Sequence, residues 1–170
     1  MTIDCGLCRL RPFQLSDADS VLKHANNRAL WLNLRDRFPH PYTQADAEWW
    51  VNFASTLSPL TGFAIDIDGE AVGAIGLELH SDIERCSAEV GYWLGEQHWG
   101  KGIMSAALRA ITDYGFNQFE LTRIYAVPFV RNAPSVRILE KAGYQLEGLM
   151  RRSAIKDGVI LDQFLYASVR

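Results

Sequence analysis

Gly100 and Gly102 stand two residues apart around Lys101, directly ahead of a segment whose apolar residues recur at helical spacing. Glycine at both positions lets the chain turn sharply and present successive backbone N–H groups. The helix that follows contributes the unpaired N–H groups of its first turn and the positive end of its dipole. Lys101 adds a cation. The group that suits such a seat is a pyrophosphate. Taken alone, the same glycine spacing also fits a plain tight turn.

The string is not either of the two common phosphate-binding fingerprints. It lacks Gly-x-x-x-x-Gly-Lys-Ser/Thr, and it lacks Gly-x-Gly-x-x-Gly. Cys5 and Cys8 form a lone Cys-x-x-Cys with only Cys86 besides, so a zinc site would want two more ligands. Ordinary thiols near a first strand are the expectation. His24, His40, His80 and His98 are scattered and make no metal signature, so no metal is expected.

Composition narrows the partners. Hydrophobic residues make up 48% of the 170 and charged residues 22%, with a formal net charge of −3. That charge gives no general basic field for nucleic acid or an anionic membrane. No stretch approaches the ~20 apolar residues of a membrane span, and no signal peptide is read at the N-terminus. A cytoplasmic location is the expectation, with a single domain over 1–170.

The elements that must position the glycine turn follow from periodicity. Leu7 to Arg11 reads as a short edge strand ended by Pro12. Ser16 with Asp19 reads as a helix start, followed by Val21, Leu22, Ala25 and Ala29. The prolines make 35–43 irregular. Thr43 then caps a helix with Ala47, Trp50, Val51 and Ala54 on one face. Strands are predicted over Gly62 to Ile67, Ala71 to Leu79 and Glu84 to Leu94, with Asp68-Gly69 as a tight turn. In the last of these, Cys86, Ala88, Val90, Tyr92 and Leu94 share one side, and Ser87, Glu89 and Trp93 the other.

A helix from Ile103 to near Phe119 carries Ala106, Ala107, Ala110, Ile111 and Tyr114 on its buried face. A strand over Arg123 to Val127 follows. Asn132 caps a helix bearing Val136, Leu139 and Ala142, and Gly143 stops it. Tyr144 to Leu149 and Ile160 to Val169 read as closing strands, with Asp157-Gly158 between them. This order predicts an α+β, three-layer fold: a single mixed, mostly antiparallel sheet with helices on both faces. A homodimer through a sheet edge or helix face is permitted by the many aromatics and the closing strands.

The segment Gln97-His98-Trp99-Gly100-Lys101-Gly102 resembles motif A of the GCN5-related N-acetyltransferases, written Arg/Gln-x-x-Gly-x-Gly/Ala. Gly91-Tyr92-Trp93-Leu94 before it resembles the ribosomal-protein N-terminal acetyltransferase branch of that superfamily. So do the later Asn132-Ala133-Pro134-Ser135-Val136-Arg137-Ile138-Leu139-Glu140-Lys141-Ala142-Gly143-Tyr144, and Leu10-Arg11-Pro12-Phe13 near the start. The resemblance covers essentially the whole chain.

The resemblance implies the acyl-CoA N-acyltransferase fold, with acetyl-CoA held where the strand ending near Leu94 parts from the strand near Tyr125. It implies that backbone groups of Trp93 and Leu94 pair with the pantetheine. Gln97, Trp99, Gly100, Lys101 and Gly102, with the N–H groups of Ile103, Met104 and Ser105, would hold the pyrophosphate. Asn132 would lie near the pantetheine arm and Ser135 near the thioester sulfur. Arg137 and Lys141 fit either the cofactor's phosphates or a solvated helix face. The early helices, with Trp31, Trp49 and Trp50 on or near them, would wall the acceptor groove.

The implied reaction moves an acetyl group to a primary amine, so a carboxylate near the parting strands could take the amine's proton. Glu89 is the first choice and Glu78 the second. The sequence departs from the wider superfamily at Leu139, where many members carry a tyrosine proposed as the acid for the leaving thiolate. Ser135 is the polar residue that could bond the sulfur instead. Ala106 stands where the branch often has a glutamate. Three function classes follow. The first is an N-acetyltransferase, whose acceptor is a protein N-terminal α-amine or a small molecule such as a polyamine, an amino acid or an antibiotic. The others are a non-catalytic CoA-binding regulatory domain and a plain interaction module. Acetyl transfer, and binding without transfer, separate them.

Overall fold

The computed structural model describes all 170 residues. Its centre is one eight-stranded sheet in the order β1-β2-β3-β4-β5-β6-β8-β7. The strands are β1 (Ile3–Asp4), β2 (Arg9–Arg11), β3 (Gly62–Ile67), β4 (Glu70–Leu79), β5 (Ser87–Leu94), β6 (Arg123–Ala126), β7 (Gln145–Lys156) and β8 (Val159–Val169). Every pairing is antiparallel except β5 with β6. That parallel pair needs a crossover, which the helix α4 (Ile103–Gln118) supplies. The other helices are α1 (Ala18–Ala25), α2 (Arg28–Trp31), α3 (Gln44–Ser55) and α5 (Ala133–Lys141).

Two apolar clusters cover the two faces of the sheet. On one face Val21, Ala25, Ala47, Val51 and Ala54 from α1 and α3 pack on Ala64, Ala74 and Trp93. On the other, Ile103, Ala107, Leu108 and Ile111 of α4 and Leu139 of α5 pack on Phe63, Ile75, Leu77, Ala88, Val90 and Leu94. Alternation along β5 divides its side chains between the faces, Val90 and Leu94 to one and Trp93 to the other. Each fully buried Leu or Ile on α4 contributes about 1.5–3 kcal/mol. Gly115 lets α4 lie close: a Cβ there would meet Leu77 and Ile124 at 2.7 and 2.9 Å.

Local chemistry fixes the joints. Asp68 and Gly69 take φ of 52° and 89°, the left-handed pair of a tight hairpin turn between β3 and β4. Thr43 caps α3, its Oγ1 accepting from Asp46 N at 3.3 Å while Asp46 Oδ2 accepts from Thr43 N at 2.8 Å. Gly143, at φ 88°, ends α5. No helix is long and apolar enough to cross a membrane.

Several expected boundaries move. The strand expected over Leu7 to Arg11 is shorter and is not the edge, because β1 pairs outside it and Leu7 and Cys8 belong to the connecting turn. Ser16 does not start α1. It lies in a short 3-10 turn, Leu15–Asp17, ahead of the helix. Asp17 closes that turn by accepting from Gln14 N at 2.8 Å, its carboxylate held by two hydrogen bonds of 2.8 Å from Arg11, and no side chain caps α1 itself. Ala29 falls on α2, which Asn27 caps separately by accepting from Leu30 N. β5 begins at Ser87 rather than Glu84, because a short 3-10 turn occupies Asp82–Glu84. β7 continues past Leu149 to Lys156 through register shifts that interrupt its alternation.

Candidate functional site

β5 and β6 part company within the sheet. They pair only at Ser87 with Arg123, Ala88 with Ile124 and Glu89 with Tyr125. On its other side β5 stays paired with β4 as far as Leu94. From Val90 to Leu94, therefore, one edge of β5 has no strand beside it. Glu89 sits at the closed end of that gap. Leu94 at the open end is five extended steps farther on, a span of about 17 Å.

The glycine turn lies beyond the open end. Gly100 and Gly102 have φ of 72° and 78°, a region that side-chain-bearing residues rarely adopt. Gly102 is the N-cap of α4, and no side chain caps the helix. The helical ladder starts when Ala106 N donates to Gly102 O at 3.1 Å. The N–H groups of Ile103, Met104 and Ser105 therefore have no partner within the helix. Their side chains are buried, so only their backbones can serve a ligand. Trp99 fastens the turn to the strand, its indole N–H donating to Leu94 O at 2.6 Å. Gln97 and Lys101 are exposed beside the turn. Gln97 Nε2 lies 3.3 Å from His98 Nε2.

Across the gap, α5 presents its first turn. Asn132 Oδ1 accepts from Ser135 N at 3.3 Å, so this side chain is engaged as the helix cap. The buried Ser135 hydroxyl meets the Tyr92 hydroxyl of β5 at 2.7 Å. Burial of the ring pushes Tyr92 up to about 12, with the Ser135 bond acting in the opposite direction. Leu139 is fully buried in the core, so that position offers no polar group. Arg137 and Lys141 are both exposed.

The opposite face of β5 is acidic and guarded by arginines. Glu89 lies directly opposite Glu78 on β4. Arg35 forms an ion pair with Glu89, and Arg37 reaches Glu78 at 3.1 Å. Both arginines come from the irregular segment after α2, whose Phe38 packs edge-on against Trp93 at 5.8 Å. Farther along, the buried amine of Lys156 bonds Asp36 at 2.9 Å and lies 3.9 Å from the Trp31 ring centroid. A cavity of about 320 Å³ opens between this segment, the end of β6 and the β7–β8 hairpin. Arg35, Leu34, Val127, Phe129, Ile155 and Gln163 line it. Arg35 thus touches both the cavity and Glu89.

The two sets of candidate residues are thus brought to the two ends and two sides of one gap. Trp93, Leu94, Trp99 and the turn lie at its open end, Ser135 and Asn132 along one side, and Glu89 at its closed end. Sequence reasoning missed Tyr92 as a polar neighbour of Ser135, because alternation marked it only as core-facing. It missed Arg35 and Arg37 because an irregular segment carries no periodicity. Trp49, which is 65% exposed, stacks on Phe53.

A sequence profile described as an acetyltransferase (GNAT) domain matches residues 8–145. An uncharacterized N-acetyltransferase, p20, from Bacillus licheniformis is 30% identical over 169 residues, which is 95% of this chain and 92% of that protein. The ribosomal-protein-serine acetyltransferase of Escherichia coli is 32% identical over 107 residues, covering 63% of this chain and 59% of its own length. Among solved structures, Mycobacterium smegmatis RimJ in complex with CoA-disulfide superposes with a TM-score of 0.80 at 28% identity. It covers 99% of this chain and 87% of that one.

Proposed function

The chain belongs to the GNAT acetyltransferase family, and on that premise we propose that it transfers an acetyl group from acetyl-CoA to a primary amine. The observation that carries this is the β5–β6 gap, with a bare helix N-terminus near its open end and a carboxylate at its closed end. A long cofactor with anionic groups at one end and a thioester at the other matches that polarity. Its fit to the chain rests on two features, the uncapped first turn of α4 and the unpaired edge of β5 from Val90 to Leu94. Gly100, Lys101, Gly102 and the N–H groups up to Ser105 would hold the pyrophosphate, and the backbone around Trp93 would pair with the pantetheine. When bound, acetyl-CoA supplies the activated acetyl group.

The chain's own residues then have modest tasks. An amine arrives protonated at neutral pH, since its pKa is about 8 for an α-amine and about 10 for a lysine-like one. Glu89 attracts the ammonium and relays its proton, directly or through a water molecule. Arg35 must shift or share that carboxylate as the acceptor enters. On the other side, Ser135 donates a hydrogen bond towards the leaving sulfur and Tyr92 supports Ser135. An ordinary thiol has a pKa of about 8.5. Tyr92, pushed up to about 12 by burial, therefore keeps its proton. The pair stabilises a thiolate by hydrogen bonding rather than by surrendering a proton to it.

For the acceptor, we favour a protein N-terminal α-amine, supported by the likeness to the ribosomal-protein-serine enzyme. The cavity beside Glu89 favours a second reading, because about 320 Å³ suits a compact amine better than a long peptide. Comparing kcat/KM for thiol release with peptides of free N-terminus against polyamines, amino acids and aminoglycosides decides between them. A preference for peptides carries the first reading, and a preference for any small amine replaces it. A homodimer through β7 fits the exposed Leu146, Leu149 and Ile155 along that edge strand. Light scattering that returns only monomer would remove it.

A further inference from the structure

Cys5 and Cys8 flank a two-residue turn between β1 and β2. The register pairs Ile3 with Leu10 and Asp4 with Arg9, which sets Cys5 opposite Cys8. Cys5 N donates to Cys8 O at 2.9 Å, which ties the two chain segments together at the turn. Gly6, at φ 79°, occupies the first central position, where such a turn calls for the left-handed region. Directly opposed residues in a hydrogen-bonded pair have Cα atoms about 5.5 Å apart. That separation lies inside the range of about 4.4–6.8 Å that a disulfide spans. Both cysteines are free thiols in this structure.

The two thiols also differ in a useful way. The Cys5 thiol donates to Ile3 O at 3.7 Å. The neighbouring Cys8 thiol holds the Cys5 thiol below the ordinary cysteine value against the opposing effect of burial. The same pairing, then burial, pushes Cys8 up. Cys5 is half-buried and Cys8 is buried against the core. The more acidic thiol is therefore the more accessible one, and its neighbour is a sheltered second thiol.

The turn does not hang free of the phosphate seat. Leu7, between the two cysteines, has its Cδ1 3.5 Å from the place a Cβ on Gly102 would occupy. Leu7 therefore lies beside the residue from which α4 begins.

We propose that Cys5 and Cys8 are a dithiol–disulfide site, oxidised by low-molecular-weight disulfides such as that of glutathione, whose closure alters the adjoining turn at Gly102. The Cys5 thiolate attacks one sulfur of the small disulfide, forming a mixed disulfide and releasing one thiolate. Cys8 then loses its proton and attacks the Cys5 sulfur, forming the Cys5–Cys8 bond and expelling the second small thiolate. Two protein thiols are oxidised by two electrons, and one small disulfide is reduced to two thiols.

Equilibration of the folded protein in glutathione buffers, followed by alkylation and mass spectrometry, tests the site. The expected product is an intramolecular Cys5–Cys8 disulfide, lighter by two hydrogens, formed equally in Cys86→Ser. Cys8→Ser should instead accumulate glutathione on Cys5, and Cys5→Ser should leave Cys8 reduced. A wild type that keeps glutathione on Cys5, or in which Cys5 and Cys8 stay reduced while only Cys86 reacts, overturns the proposal. The consequence at Gly102 rests on the phosphate-seat reading. Acetyl-CoA affinity should differ at least about 3-fold between the reduced and disulfide forms, about 0.65 kcal/mol. Equal affinities defeat the coupling, whereas no acetyl-CoA binding in either form defeats the proposed function and leaves the disulfide standing.

Discussion

The hydroxyls of Tyr92 and Ser135 lie 2.7 Å apart and tie β5 to α5 across the gap where β5 and β6 have separated. Tyr92→Phe keeps the ring and removes the bond. Turnover should fall by about 10-fold, equivalent to about 1.4 kcal/mol of barrier, while KM for acetyl-CoA stays close to wild type. Ser135→Ala should cost at least as much, and the double variant no more than the worse single one, because the two act as a unit. Additive losses in steady-state kinetics would show that they act separately.

Gly102 is required for its φ of 78° rather than for space, since a Cβ there would meet only Leu7 Cδ1, at an ordinary 3.5 Å. Gly102→Ala should cost about 1–2 kcal/mol from the left-handed backbone. Gly102→Val should also abolish acetyl-CoA binding by crowding the N–H groups of the first turn. Calorimetry on folded Gly102→Val that returns wild-type affinity would move the phosphate seat elsewhere. Lys101→Ala should weaken binding less, because the backbone groups do most of the holding.

Acid stability should depend on Asp66. Burial pushes its carboxyl up, but hydrogen bonds from Arg11, Arg9 and Gly69 N outweigh that and hold it below the usual carboxylate range. A depressed folded value gives stability that is fully present above the unfolded pKa of about 3.9 and is lost as pH falls through the folded value. Asp66→Asn should destabilise the protein at neutral pH by about 3 kcal/mol, the low end for a broken buried pair because Arg11 keeps Asp17. Its urea midpoint should also fall less steeply than wild type below pH about 4. Parallel pH dependences would assign the acid sensitivity to other carboxylates.

Glu89→Gln should bind acetyl-CoA normally and turn over about 10²-fold more slowly at neutral pH, as for a lost general base. Much of the rate should return at high pH, where the amine loses its proton unaided. A wild-type pH–rate profile would pass the role to Glu78 or to water.

Much of this was legible in the sequence because the signals were local. The Asp68-Gly69 turn, the Thr43 and Asn132 caps, the Gly143 stop and the start of α4 at Ile103 each depend on a few adjacent residues. The alternation along β5 correctly put Glu89 with Trp93 and away from Val90. What escaped depends on contacts distant along the chain. The 3-10 turn at Leu15–Asp17, which delays α1, rests on the Asp17 carboxylate that Arg11 engages from the neighbouring strand. β1 is two residues long and has no periodicity to detect. The register shifts in β7 hide alternation past Leu149. Tyr92 meets Ser135 across 43 residues, and Arg35 meets Glu89 across 54. No spacing rule reaches that far.

The central claim is acetyl transfer from acetyl-CoA to an amine nitrogen. Isotopically labelled acetyl-CoA, incubated with the purified chain and a panel of N-terminal peptides and small amines, tests it most directly. Mass spectrometry of the acceptors is read against released thiol. The account predicts label on a primary amine of at least one acceptor, one acetyl per thiol released. Acetyl-CoA that binds, with no acceptor labelled and no thiol released across the panel, would contradict it and mark the chain as a CoA-binding domain without turnover.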